Sequence, residues 1–144
     1  MSTSGSPSAD PGRKHLVVVG HGMVAHRFVQ AAIERGLTER YDITILGEEP
    51  RPAYDRVALT SFFSHETATA GADALSLLPE GEYDDPRVRL LINTEVTSID
   101  PDARAVRLAT GRTLSYDRLV LATGAAPFVP PIPGRDLDGC LAYR

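Results

Sequence analysis

The chain has 144 residues, 42% of them hydrophobic and 24% charged, which is ordinary globular composition and enough length for one core. Its formal net charge of −4, without a dense basic stripe, argues against a non-specific nucleic-acid footprint. No apolar run approaches the roughly 18–20 residues that span a bilayer, and the single cysteine, Cys140, can neither close an internal disulfide nor supply the thiolates of a zinc or iron–sulfur site.

A reduced, cytoplasmic setting is therefore expected, with no membrane partner. The first residues lack a charged start followed by an apolar stretch, so no secretory signal is read there. Residues 1–12 (MSTSGSPSADPG) are small and polar, a composition with too little apolar surface to repay ordering. They read as a disordered leader. Ordered sequence begins at His15–Val19, a continuous apolar run of the kind covered on both faces of a sheet. Met23 to Leu37 follows with helical periodicity through Val24, Phe28, Ala31 and Ala32, and Gly36 suits its C-terminal end. Ile43–Leu46 is a second buried strand. Strand, helix, strand with short joints predicts a βαβ unit with parallel strands and a right-handed crossover.

Prolines 50 and 52 open an irregular stretch, with a short helix expected over Asp55–Phe63 and an exposed loop over Ser64–Ala74. Val88–Ile92 is a third strand. Glu95–Ile99, Ala105–Ala109 and Arg112–Ser115 alternate apolar and polar residues between turn signals, which predicts a small antiparallel meander. Leu119–Ala122 is a further apolar strand, ending in Thr123-Gly124. The prolines at 127, 130, 131 and 133 then make a stiff connector leading away from the sheet.

The first strand runs into G-x-G-x-x-A, formed by Gly20, Gly22 and Ala25. Gly20 permits the sharp turn out of the strand, and Gly22 lets a pyrophosphate approach bare backbone. The third position lies where helix packs on strand, and alanine is accepted there. The N–H groups of the first helical turn, at Met23, Val24 and Ala25, would bind phosphates with help from the helix dipole. The second strand ends at Leu46-Gly47-Glu48, and an acid at this point accepts hydrogen bonds from a ribose. Glu48 lies 48 − 20 = 28 positions after the first glycine, somewhat beyond the usual spacing of about 20 past the motif. The loop at Thr38–Asp42 absorbs the excess. Glu49 is the alternative acid, and one of the pair is expected to be merely solvated. Arg56, in PAYDRVALTSF, sits where it could neutralise the pyrophosphate.

These stretches, with the meander and YDRLVLATGAAP, resemble the FAD/NAD(P)-dependent pyridine nucleotide–disulfide oxidoreductase superfamily over about residues 14 to 144. Within it, GHGMVAHRF, ITILGEEPRPAYDRVALTSFFSHETA and YDRLVLATGAAPFVPPIPG are similar to the N-terminal part of the NAD(P)H-dependent assimilatory nitrite reductase large-subunit family. The resemblance implies an α/β, Rossmann-like FAD-binding domain over 13–144. This would be a parallel sheet with helices on both faces plus the meander, incomplete relative to the family. It also implies FAD contacts at Gly20, Gly22, Val24, Glu48 and Arg56, at Val96 beside the adenine, and at Ala122, Thr123 and Gly124. NAD(P)H, an iron–sulfur/sirohaem centre, and a small subunit or redox partner would belong to the longer family protein. The chain alone would bind FAD weakly or not at all. Two other readings stay open, an NAD(P)H:ferredoxin-type reductase fragment and a non-catalytic nucleotide-binding module. Ser61 stands where related ferredoxin-type reductases often carry a lysine.

The four histidines form no metal-ligand spacing, and His21 and His26, five apart, are not expected to share a helix face. Tyr83, Tyr116 and Tyr143 read as packing residues with solvated hydroxyls.

Overall fold

A computed structural model describes residues 12–63 and 72–142. Most of the expected leader, most of the Ser64–Ala74 loop, and Tyr143 lie outside the described residues. Strand β1 (Lys14–Val19) is followed by helix α1 (Met23–Glu34) and strand β2 (Tyr41–Leu46). Strands β3 (Val88–Leu91), β4 (Val96–Asp100), β5 (Ala105–Leu108), β6 (Thr113–Ser115) and β7 (Arg118–Leu121) complete the order. The parallel sheet runs β3-β2-β1-β7, and β4-β5-β6 form the separate antiparallel meander.

The continuous apolar run of β1 reflects burial on both faces. Leu16 and Val18 point to one side, with Ile43, Ile45 and Val88, and pack against Ala25, Val29 and Ala32 of α1. Val17 and Val19 point to the other side with Leu46, and there meet Val106 and Leu108 of β5. The expected α1 cover is therefore present on the first face. On the second face the described residues place the meander rather than a helix. The alternating pattern of β5 gives it one apolar face, which buries against the sheet.

Helix α1 stops three residues earlier than its periodicity predicts. Gly36 takes a left-handed φ of 69°, its N–H donates to the Ile33 carbonyl (2.9 Å), and Leu37–Glu39 tighten into a 3₁₀ turn. The short helix expected after Asp55 is a 3₁₀ helix over Ala58–Phe63, with the Asp55 carboxylate accepting from the Val57 and Ala58 N–H groups.

Two side chains lock the sheet from its far end. Arg13 pairs with Asp42 (2.8 Å) and donates to the Thr38 and Tyr41 carbonyls. His15 joins β1 to β2 and β6 through the Thr44 hydroxyl (2.9 Å) and the Ser115 carbonyl (2.7 Å).

Candidate functional site

A crevice of about 370 Å³ opens at the carboxyl ends of β2, β1 and β7. That is where parallel α/β sheets place their ligands. The Gly20 N–H donates to the Leu46 carbonyl and the Ala122 N–H to the Val19 carbonyl, both at 2.8 Å, so the strand ends stay laced past the last ladder residues. Gly20 has φ +99°, and a Cβ built on it would lie 2.3 Å from the Ala122 carbonyl oxygen. The protein's own main chain thus demands the first glycine.

Gly22 differs. Its backbone is ordinary extended chain, and a Cβ there would meet nothing within 4 Å. The room beside it is open crevice. Gly22 is also the N-cap of α1, with no side-chain hydrogen bond to the first turn and no acid in that turn. The helix dipole and the first-turn donors are therefore aimed at the crevice without an internal anion to occupy them.

The expected residues converge here. Gly20, Gly22, Met23 and Val24 form the floor, and Ala122, Thr123 and Gly124 line the side given by the end of β7. Glu48, Glu49 and Arg56 line the opposite rim, with Val96 beside them. Ala25 is the exception. It is fully buried and packs α1 onto the sheet, the helix-on-strand contact foreseen for the third motif position. The sequence reading missed His21, Gly47, Arg51 and Thr94, which also line the crevice. Thr94 is brought in by backbone bonds, its N–H donating to the Gly47 carbonyl (2.7 Å) beside an Asn93 N–H to Glu49 carbonyl bond (3.0 Å).

The two acids have different settings. Glu48 lies exposed on the rim, whereas the Glu49 carboxylate accepts from the Arg56 guanidinium. Arg56 also lies 5.2 Å from the Tyr54 ring centroid, and Arg51 lies 6.0 Å from it. The two acids and two arginines of the rim cancel in formal charge.

His21 and His26 share no helix face, yet their rings come near each other. His21 precedes the helix, so the helical spacing rule does not govern the pair, and the ring centroids lie 6.4 Å apart. The Tyr83 hydroxyl lies between them, 3.3 Å from His21 Nε2 and 3.1 Å from His26 Nδ1, so it is not simply solvated. Burial, then repulsion from His26, lowers the His21 pKa to about 4. Among the described residues, no helix is long and apolar enough to cross a membrane, and no group of three or more His, Cys, Asp and Glu is placed to hold a metal ion.

Residues 14–143 match the family model described as pyridine nucleotide-disulphide oxidoreductase. The chain belongs to this family. It is 41% identical over 129 residues to the nitrite reductase (NADH) large subunit of Escherichia coli K12, covering 90% of this chain and 15% of the relative. It is 46% identical to the nitrite reductase [NAD(P)H] large subunit of Klebsiella oxytoca, covering 90% of this chain and 13% of the relative. Among solved structures, the covalent putidaredoxin reductase–putidaredoxin complex superposes with a TM-score of 0.67 at 31% identity, covering 84% of this chain and 28% of that one. The chain thus spans a small part of the length of the proteins it matches.

The residues present fit the dinucleotide such an oxidoreductase uses. Gly22 presents bare main chain to the open crevice, α1 offers first-turn donors without a side-chain cap, and Glu48 stands just past the end of β2 where a ribose acceptor belongs.

Proposed function

We propose that this chain is the FAD-binding portion of an NAD(P)H-dependent flavoprotein oxidoreductase of the nitrite reductase large-subunit type. The observation that carries the reading is the bare main chain at Gly22 facing the crevice, set between α1, which has no side-chain cap, and the Glu48–Arg56 rim. The names of the E. coli and Klebsiella relatives support the nitrite reductase assignment.

In this reading the diphosphate lies on the Gly20–Gly22 turn and the first-turn N–H groups of Met23 and Val24. Ala25 is the methyl-sized spacer that sets α1 at the right height. Glu48 accepts from the ribose hydroxyls, and its negative charge disfavours a 2′-phosphate. Glu49 holds Arg56, which neutralises the diphosphate from the rim. Val96 lies by the adenine, and Ala122, Thr123 and Gly124 border the cofactor. Bound flavin would supply the hydride-accepting chemistry, while these residues bind and orient it. No side chain of the crevice need act as a general acid or base.

Residues 13–144 would form the N-terminal half of the FAD domain, working in a reducing cytoplasmic compartment. The NAD(P) site, the iron–sulfur/sirohaem centre and a small subunit or redox partner would belong to the longer protein.

The test is calorimetric titration of the chain with ADP-ribose and with its 2′-phosphorylated form. The unphosphorylated ligand is expected to bind more tightly, and Glu48→Gln to narrow the difference. Preference for the phosphorylated ligand, or a difference that Glu48→Gln leaves unchanged, would refute the reading.

A further inference from the structure

We propose that Tyr83, His26 and Glu82 are positioning residues of the crevice: Tyr83 and His26 form a one-directional hydrogen-bond relay, oriented by the Glu82 carboxylate facing His26, that fixes the His21 ring and so ties the glycine turn to the Pro52–Arg56 turn. The relay stands on geometry alone, whereas its purpose rests on the dinucleotide reading above.

The direction follows from the two ends. The Ala53 N–H lies 3.1 Å from His21 Nδ1 and can only donate. Nδ1 therefore carries the lone pair, and neutral His21 bears its proton on Nε2. That proton is donated to the Tyr83 hydroxyl oxygen at 3.3 Å. The Tyr83 proton is then free to be donated to His26 Nδ1 at 3.1 Å. His26 is left with its proton on Nε2, which faces Glu82 Oε2 at 3.6 Å. That carboxylate oxygen is buried and has no hydrogen-bond partner, while its twin, Oε1, accepts from the Gln30 amide. The Ala53 end admits only this neutral tautomer of His21, and at His26 a proton on Nδ1 would turn the Nε2 lone pair towards the Glu82 carboxylate.

The consequence is mechanical. His21 sits between the two motif glycines, and its ring is the contact through which that turn holds Ala53. Ala53 is itself buried and begins the segment that carries Arg56 to the rim. An imidazole free to flip or change tautomer would present N–H to N–H at Ala53 and release the rim from the floor. The low proton affinity of the buried His21 ring works in the same sense, keeping Nδ1 available as an acceptor.

The test uses the full chain, uniformly labelled with nitrogen-15, and long-range imidazole correlation spectra. Without ligand, His21 and His26 are each expected to show a lone-pair Nδ1 and a protonated Nε2. Glu82→Gln is expected to shift the His21 nitrogens when Tyr83 is present and to leave them in place in a Tyr83→Phe background. A protonated His21 Nδ1, exchanging tautomers, or a Glu82→Gln effect that survives in Tyr83→Phe overturns the relay. Tyr83→Phe keeps the packed ring and is expected to weaken ADP-ribose binding about fivefold, the value of one lost net hydrogen bond. Wild-type affinity in Tyr83→Phe overturns the positioning role. If the wild-type chain binds no ADP-ribose, the purpose assigned to the relay falls, while the tautomers are judged separately by the spectra.

Discussion

The two motif glycines are expected to fail in opposite ways when given side chains. At Gly20 an alanine must adopt a left-handed φ of +99° with its methyl 2.3 Å from the Ala122 carbonyl oxygen. The left-handed backbone costs ~1–2 kcal/mol for a residue with a Cβ. Forcing the strand ends apart costs a further ~1–3 kcal/mol, as overpacking does. Gly20→Ala is therefore expected to lose ~2–5 kcal/mol, which for a chain of this size lowers Tm by roughly 6–15 °C. At Gly22 the space is open and the backbone extended. Gly22→Ser adds a good N-cap to a helix that lacks a side-chain cap, so stability is expected to hold or rise by a few tenths of a kcal/mol. Its hydroxyl, however, occupies the cradle and competes for the first-turn N–H groups, so ADP-ribose affinity is expected to fall at least about tenfold. Urea unfolding followed by circular dichroism, scanning calorimetry and ligand titration on the same preparations separate the two effects. A Gly20→Ala chain melting within about 2 °C of wild type refutes the close approach, since that is under ~1 kcal/mol. A Gly22→Ser chain as destabilised as Gly20→Ala refutes the open cradle.

Acid is expected to weaken the fold through His21. Its folded pKa is lowered from 6.5 to about 4, so between those values the unfolded chain binds the proton that the folded chain refuses. Stability on this account is flat above pH 6.5, falls as pH drops towards about 4, and levels below it. The full difference is worth at most ~3 kcal/mol, reduced to ~1–2 kcal/mol by the solvent that still reaches the ring. Urea midpoints from pH 8 to 4 check this, and His21→Asn is expected to flatten that part of the profile. Val106, fully buried under the parallel sheet, is expected to cost ~2 kcal/mol when cut to alanine. A loss under about 0.5 kcal/mol, the range of surface substitutions, would show that the meander does not pack there.

Much of the fold was legible because apolar patterning is local. The unbroken run of β1 announces cover on both faces, and the period of α1 sets Ala25, Val29 and Ala32 on the buried side. What patterning leaves open is the partner. The alternation in Ala105–Leu108 reveals an apolar face but not that its target is the sheet face opposite α1. The crevice was legible where it follows strand ends, as at Gly20, Glu48 and Thr123. The tyrosine between His21 and His26 was not, because Tyr83 lies 62 positions from His21 and carries no local signal. The Glu49–Arg56 pair was equally hidden: Arg56 was expected to face the pyrophosphate and Glu49 to be the alternative acid, but nothing in the spacing showed that one would hold the other.

The lacing of Gly20 to Leu46, Gly47 to Leu91 and Ala122 to Val19 gives the crevice a stiff base made of main chain alone. Among the described residues, the wall opposite is held by bonds between Ala53, Asp55 and their neighbours His21, Leu75 and Leu77. Any give during ligand entry is therefore expected in that wall. The amides at the base are expected to exchange with deuterated solvent on the slow schedule of the core, and those of residues 53–58 on a faster one.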